Sequence, residues 1–159
     1  MPNLLNETTT PDNLTLLADA VVDALAAGEF SQAFAPQRFT TIKEAVEKMT
    51  GDVKVAVLME AIRESGLARG SDQEEDDVAL IVLRKLQPQE TAQDVTDAML
   101  AVARELRKYL KKTPLATFLS GDLNCRLTDT AIHVPYSPLH LETYRTVLCP
   151  MTLTFRVFN

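Results

Sequence analysis

The feature that most constrains the fold is a run of six apolar residues, Val78 to Leu83, which is apolar on both alternating faces. Successive side chains of a β-strand point to opposite faces of the sheet, so both faces of this run favour burial. The run is also rich in β-branched residues, which are enriched in strands. We therefore predict that it forms a central strand of a sheet.

A first amphipathic α-helix is predicted from Leu14. Apolar residues recur from there at i, i+3, i+4, i+7, i+8 and i+11, which places them in one stripe. Asp12 or Asn13 can cap the first turn. Gly28 can end the helix in a left-handed conformation.

A second helix is predicted from about Ala92 to Lys111. Thr91 and Asp94 resemble a capping box at its start. Basic residues crowd its last turn, where they complement the helix dipole, and Pro114 prevents its continuation. Its apolar seam consists of Val95, Met99, Val102, Leu106 and either Tyr109 or Leu110.

Shorter patterns predict the remaining elements, and Pro150 is expected at an edge or a bulge because proline cannot donate to a strand ladder. The order of helices and strands predicts an α+β fold, a mixed or antiparallel β-sheet with two main α-helices packed on one face. The predicted elements are a short strand within Phe30–Thr40, a short helix at Ile42–Met49, a strand with one strongly apolar face at Val53–Met59, and strands at Ala131–Tyr136, Tyr144–Leu148 and Met151–Val157.

The domain organisation follows from composition along the chain. Residues 1–13 are polar and Thr-rich, which is typical of a flexible arm, and residues 14–159 are expected to form a single α+β domain. Ile62 to Asp77 is interpreted as a long connection that ends in a run of acidic residues. Like charges repel one another, so we expect a solvated or partner-facing loop there.

Charge and cysteine content exclude several classes of protein. The chain has 22 acidic and 16 basic residues, a formal net charge of −6, whereas a protein that wraps nucleic acid needs clustered Lys and Arg. Its two cysteines, Cys125 and Cys149, form no disulfide framework and indicate a reducing cytoplasm during synthesis. We expect neither a signal peptide nor a membrane span.

A search for chemistry gives no enzyme signature. Two histidines and two cysteines lack the spacing of a zinc site, and none of the five glycines forms a phosphate-binding array. Carboxylate pairs at Glu74–Glu75 and Asp76–Asp77 are rejected as a calcium or glycosidase site, because neighbouring residues point apart. The expectation is therefore a non-enzyme with no metal, cofactor or catalytic residue.

The order of segments resembles the tail-terminator proteins of long-tailed bacteriophages, which belong to the neck and join head to tail. The similarity extends from about Leu14 to Phe158. The segments that carry it are Gly28 to Phe34 followed by Pro36 to Arg38, the strand Val53 to Val57, Ala68 to Ser71 before the acidic stretch, the strand Val78 to Leu83, the helical Leu100 to Leu106, and the closing Val147–Leu148 and Met151 to Phe155.

This resemblance implies a virion protein, made in the host cytoplasm, that forms a homo-hexameric ring. The ring caps the tail tube, stops its polymerisation and joins the tail to a head-side connector or stopper protein. DNA contacts it only in passage through the lumen, and no membrane is involved. The expected lumen- or tube-facing residues are Arg69, Asp72, Glu74, Glu75 and Asp76, and the expected subunit or neck contacts are Arg38, Arg107, Lys108 and Lys111.

Three alternatives stay open from the residues. The chain could be another head–tail joining protein, such as a stopper or a tail-completion factor. It could be a small non-viral binding domain in which Arg107 to Lys112 grip an anionic partner. It could also be a thiol enzyme that pairs Cys149 with His133 or His140.

Overall fold

The computed structural model describes residues 11–48, 52–66, 74–119 and 123–158. Within these ranges the chain forms three α-helices, two 3₁₀ helices and five β-strands. No helix in them is long and apolar enough to cross a membrane. The elements in chain order are α1 (Asn13–Ala26), β1 (Gln37–Phe39), α2 (Ile42–Lys48), β2 (Val53–Gly66), β3 (Glu74–Lys85), α3 (Ala92–Lys112), the first 3₁₀ helix (Leu115–Phe118), β4 (Asn124–Ile132), the second 3₁₀ helix (Leu139–Tyr144) and β5 (Thr146–Phe158).

The five strands form one mixed sheet in the order β1-β2-β3-β5-β4. β1 pairs with β2 in parallel, and the other neighbours are antiparallel. The predicted α+β class is therefore confirmed. The run Val78 to Leu83 lies in β3, the middle strand of the sheet, as its two apolar faces predict.

The two long helices α1 and α3 pack on the same face of the sheet, as predicted. Their apolar stripes share one core cluster with alternate residues of β2, β3 and β5. The fully or nearly fully buried members of this cluster include Leu17, Val21 and Leu25 of α1, Met99, Leu106 and Leu110 of α3, Val55 and Val57 of β2, Val78, Leu80 and Val82 of β3, and Met151, Leu153 and Phe155 of β5.

The opposite face of the sheet is partly covered as well, by α2 and the second 3₁₀ helix. Ala45 and Val46 of α2 and Leu141 of the 3₁₀ helix share a second core cluster with Ala56 and Leu58 of β2. Val55 and Val57 lie on the strongly apolar face predicted for β2, and α2 also buries the second face, which Ala56 and Leu58 occupy.

Asp12 caps α1, because its Oδ2 accepts a hydrogen bond from the Leu14 amide at 2.9 Å. Asn13 is already helical, so α1 begins one residue before its predicted start at Leu14. The predicted arm falls mostly on residues 1–10, which lie outside the described ranges. Gly28 is not left-handed as predicted. It is required for space, since a Cβ there would come within 2.7 Å of Phe30 Cζ and 2.9 Å of Tyr109 Cζ.

The C-terminal strands differ from their predicted bounds. β4 ends at Ile132, and the rest of the predicted strand Ala131–Tyr136 contributes only an isolated bridge between Tyr136 and Leu148. The second 3₁₀ helix follows at Leu139–Tyr144, and β5 begins at Thr146, two residues after the predicted start at Tyr144. β5 runs through Pro150 in the interior of the sheet, so the edge or bulge prediction is wrong. Proline is tolerated at this position because the N–H that it lacks would point towards β4, which has already ended at Ile132. The Pro150 carbonyl points to the same side and accepts a hydrogen bond from the His133 amide at 2.8 Å.

The predicted acidic loop from Ile62 to Asp77 is largely a β-hairpin. β2 extends to Gly66, β3 begins at Glu74, and Arg63 lies opposite Asp77 in the register. The like charges pack because a strand sends neighbouring side chains to opposite faces. Residues 67–73, with Arg69 and Asp72, lie outside the described ranges.

Leu80→Ala should lower the free energy of unfolding by about 2–5 kcal/mol, because Leu80 is fully buried on the face of β3 that α1 and α3 cover. The matched control is Leu139→Ala, since Leu139 is 85% exposed. It should change stability by less than about 0.5 kcal/mol. Urea denaturation measures both, and equal losses would contradict this description of the core.

Candidate functional site

The described residues bring three carboxylates together, and we call Glu64, Glu74 and Asp76 the carboxylate cluster. Glu64 of β2 lies opposite Asp76 of β3 in the register. Glu74 precedes Asp76 by two residues, so both point to the same face of β3. One carboxylate oxygen from each of the three residues lies within 4.8 Å of the other two.

The carboxylate cluster is closed at one end and open at the other. Asp76 is 0% exposed, and neither of its carboxylate oxygens has a hydrogen-bond partner in the part of the chain that the structure describes. Glu74 is half-buried and its Oε1 is likewise buried and unpartnered there. Glu64 is exposed, so the cluster opens to solvent on its side.

Burial and negative neighbours raise the pKa of two of these carboxyls, those of Glu74 and Asp76. Burial, followed by the neighbouring carboxyls, raises the pKa of Glu74 to about 7. Burial and the nearby Glu64 raise the pKa of Asp76 to about 6. Asp12 acts in the same direction on both groups. Glu74 and Asp76 therefore keep their protons to higher pH than ordinary carboxyls do.

Sequence reasoning missed this cluster. Adjacent carboxylates do point apart, as expected, but Glu74 and Asp76 are two residues apart and point together. Their interpretation as solvated loop residues is wrong for Asp76, which is fully buried. The third member could be found only from the register of β2 against β3, and that register shifts between Leu58 and Arg63.

The other two acidic residues of the run lie on the opposite face of β3. Asp77 pairs with Arg63, whose Nη2 lies 3.1 Å from Asp77 Oδ2. Asp77 also accepts a hydrogen bond of 2.7 Å from the Thr154 hydroxyl. Glu75 lies opposite Arg156 in the register. One face of β3 thus carries Glu75 and Asp77 with arginines opposite them, and the other carries Glu74 and Asp76 with the acidic Glu64.

The predicted basic contacts do not gather in one place. Arg38 lies in β1, and its Nε forms an ion pair of 3.1 Å with Asp19 of α1. Arg107 and Lys111 line a separate cavity of about 200 Å³ between α3 and the bulged part of β4. Lys108 is exposed on α3.

A third feature, which the sequence prediction treated as a strand and a turn, is an exposed apolar segment. It comprises residues 134–144 between β4 and β5, and its four exposed large side chains are those of Val134 (64%), Tyr136 (43%), Leu139 (85%) and Tyr144 (36%). Its backbone is held in place, because Tyr136 exchanges two hydrogen bonds with Leu148, at 2.9 and 2.8 Å. The segment therefore presents apolar groups on a fixed backbone.

The two thiols do not have the surroundings of a nucleophile. Cys149 is fully buried, and its Sγ donates to the His133 carbonyl oxygen at 3.4 Å, so the imidazole is not its partner. Burial raises the pKa of Cys149, and burial raises that of Cys125 to about 11. His133 is exposed, with its ring edge-on to Tyr136. A catalytic thiol needs the opposite shift.

Neither the protein-family models nor the curated proteins that were searched include a match to this chain.

Asp76→Asn should change how stability depends on pH. A carboxyl whose folded pKa is raised favours the folded state at low pH, and this contribution is lost as pH rises from about 4, the unfolded value, to about 6. In EDTA, the variant should thus gain stability over the wild type across that window, on the order of 1–3 kcal/mol by pH 8. Urea denaturation at several pH values measures it.

Glu75→Gln is the matched control for this measurement, because it removes the same charge one residue away on the opposite face of β3. This variant keeps Asp76, so its stability should fall with rising pH across the same window as that of the wild type does. A wild type that gains stability relative to Asp76→Asn with rising pH would contradict the assigned pKa shift.

Thiol labelling should separate folded from unfolded protein sharply. Because both thiols are buried with raised pKa values, an aromatic disulfide reagent near neutral pH should label them at least about a hundredfold more slowly than in denaturant. Fast labelling of Cys149 in the folded protein would instead favour the thiol-enzyme alternative.

Proposed function

We propose that this chain is a structural subunit of the neck of a long-tailed bacteriophage, and specifically the tail terminator. In this proposal six copies form a ring that caps the tail tube, stops its polymerisation and joins it to the head-side connector or stopper. The chain is then a virion protein of the head–tail junction and has no catalytic role.

The observation that carries the proposal is the exposed apolar segment. Leu139 is 85% exposed and Val134 64% exposed, although the same chain buries most of its other large apolar side chains. All four exposed large apolar side chains of the described residues fall within this one segment, and such a grouping is typical of surfaces that other proteins cover. A fixed backbone beneath them lowers the entropy cost of association. A ring subunit needs a surface of this kind.

The outer edge of the sheet favours contact through side chains over strand addition. β4 is the outermost described strand on its side, but it carries a bulge between Leu127 and Asp129. Arg126 and Asp129 add charges along the same strand. Bulges and charges are the usual protection of an edge against pairing with another chain. The apolar segment, which follows β4 directly, is then the better contact.

A closed ring requires that each subunit use two different surfaces, because its contacts are heterologous. We assign one to the apolar segment and the other to the basic surface that includes Arg107, Lys108 and Lys111. Arg38, which is tied to α1 by its ion pair, is assigned to a neck contact. Glu75 stays a candidate for the lumen or tube, together with Arg69 and Asp72, whereas Asp76 is withdrawn because it is buried.

Another head–tail joining protein, such as a stopper or a tail-completion factor, is the runner-up within the same class. It would use the same assembly surface at a different level of the neck. Location therefore separates the two: the terminator sits on the last ring of the tail tube, and a stopper sits on the head side of it.

Gold-labelled antibody against this chain should mark one end of the tail tube in electron micrographs of the phage that encodes it. Tails assembled without the chain should have irregular lengths, because nothing stops tube growth. Label on capsids alone, or tails of normal length and full infectivity without the chain, would contradict the proposal.

The ring itself is tested by a double substitution in the apolar segment, Tyr136→Ser with Leu139→Ser. The purified wild type should form hexamers, alone or on tail tubes, and the variant should stay monomeric because it loses apolar contact area. Light scattering gives the mass. Gln93→Ser is the matched control, an exposed change in the first turn of α3 outside both assigned surfaces, and should assemble normally. Equal assembly by the double variant would exclude the segment as the contact.

A further inference from the structure

We propose that the carboxylate cluster of Glu64, Glu74 and Asp76 binds one hard divalent cation, and that this cation is Ca²⁺. This inference is independent of the proposed neck function, because it rests only on the face of the β2–β3 hairpin that carries these three carboxylates. The ligands would be carboxylate oxygens from two adjacent strands of the sheet.

The state of Asp76 is the observation that points to a ligand. The side chain is completely buried, it faces Glu64 and Glu74, and neither of its oxygens has a hydrogen-bond partner among the described residues. A buried ionised carboxylate without a partner is strongly unfavourable. Buried charges in folded proteins are therefore paired or coordinate a metal ion.

No basic side chain of the described residues forms an ion pair with the cluster. Arg63 is next to Glu64 in sequence, but it points to the opposite face of β2, where it pairs with Asp77. The other charged groups that act on the cluster, Asp12 and Asp77, are also negative. A bound cation would supply the missing positive charge.

The chemistry of the cluster selects the class of cation. All three ligands are carboxylates, with no imidazole or thiol among them, and oxygen ligands favour hard cations over zinc or copper. Their oxygens lie within 4.8 Å of one another, a span that one ion with bonds of about 2.3–2.6 Å can bridge. These are the bond lengths of Ca²⁺.

Calcium fits better than magnesium because of the uneven surroundings. Mg²⁺ requires near-ideal octahedral geometry and retains several waters, whereas Ca²⁺ accepts irregular coordination and bidentate carboxylates. Asp76 and Glu74 form the buried side, where there is little access for water. The exposed Glu64 forms the open side, where the ion can enter and keep its remaining waters.

The alternative occupant is a proton. A protonated Glu74 could share its hydrogen with Asp76 and so satisfy the buried oxygens without any metal. The two occupants differ in a measurable way, since only the cation site responds to added calcium at a fixed pH.

Isothermal titration calorimetry of the full chain, freed of metal with EDTA and held at about pH 8, tests the proposal. CaCl₂ should bind with a stoichiometry of one per chain and should raise the melting temperature, because it binds only the folded state. Asp76→Asn should weaken calcium binding by about tenfold or more. The matched control Glu75→Gln, on the opposite face, should bind as the wild type does.

Circular dichroism checks that Asp76→Asn is folded. Glu64→Gln provides a second variant that keeps the fold, because Glu64 is exposed, and it should weaken calcium binding in the same direction. Absence of calcium binding up to about 10 mM would overturn the proposal in favour of the shared proton. Equal affinity in Asp76→Asn and Glu75→Gln would overturn it too, and tighter binding of MgCl₂ than of CaCl₂ would overturn the choice of calcium.

These outcomes do not depend on ring formation. A chain that binds no calcium could still assemble through its apolar segment, and a chain that binds calcium could still be monomeric. Failure of the cation proposal and failure of the neck proposal are therefore distinguishable.

Discussion

The pairing of β3 with β5 is the interaction on which the rest of the structure depends. Twelve residue pairs join the two strands, from Glu74 opposite Val157 to Lys85 opposite Thr146. Because β3 lies at the centre of the sheet, its register fixes which side chains of β2 and β5 face α1 and α3 and which face α2. A slip of one residue would exchange the two faces, placing Asp77 in the core and Asp76 outside it.

Strong local patterns made much of this fold predictable. The doubly apolar run Val78 to Leu83 predicted the central strand, and the helical stripe with its Asp12 cap predicted α1. Patterns that depend on distant partners were not predictable. The sequence alone does not show that β4 ends at Ile132, and for that reason Pro150 was wrongly expected at an edge or a bulge, although it lies within the interior strand β5.

The carboxylate cluster shows the same limit at a site. Acidic residues in succession favour a loop because their like charges repel one another. Here they form a strand instead, and the strand places alternate charges on opposite faces of the sheet. Asp77 forms an ion pair with Arg63, whereas Asp76 lies opposite Glu64, which is another acid. No local signal distinguishes these two outcomes, because both partners come from β2 across an irregular register.

The description of the chain as an assembly subunit rests on the contrast between its buried core and its exposed apolar segment. Under the proposal that the chain is a phage neck subunit, electron cryomicroscopy of the intact neck tests this claim most directly. The account predicts six copies in a ring at the top of the tail tube, with Leu139 and Val134 buried against a neighbouring copy. A neck without this chain, or a ring in which Leu139 faces solvent, would contradict it.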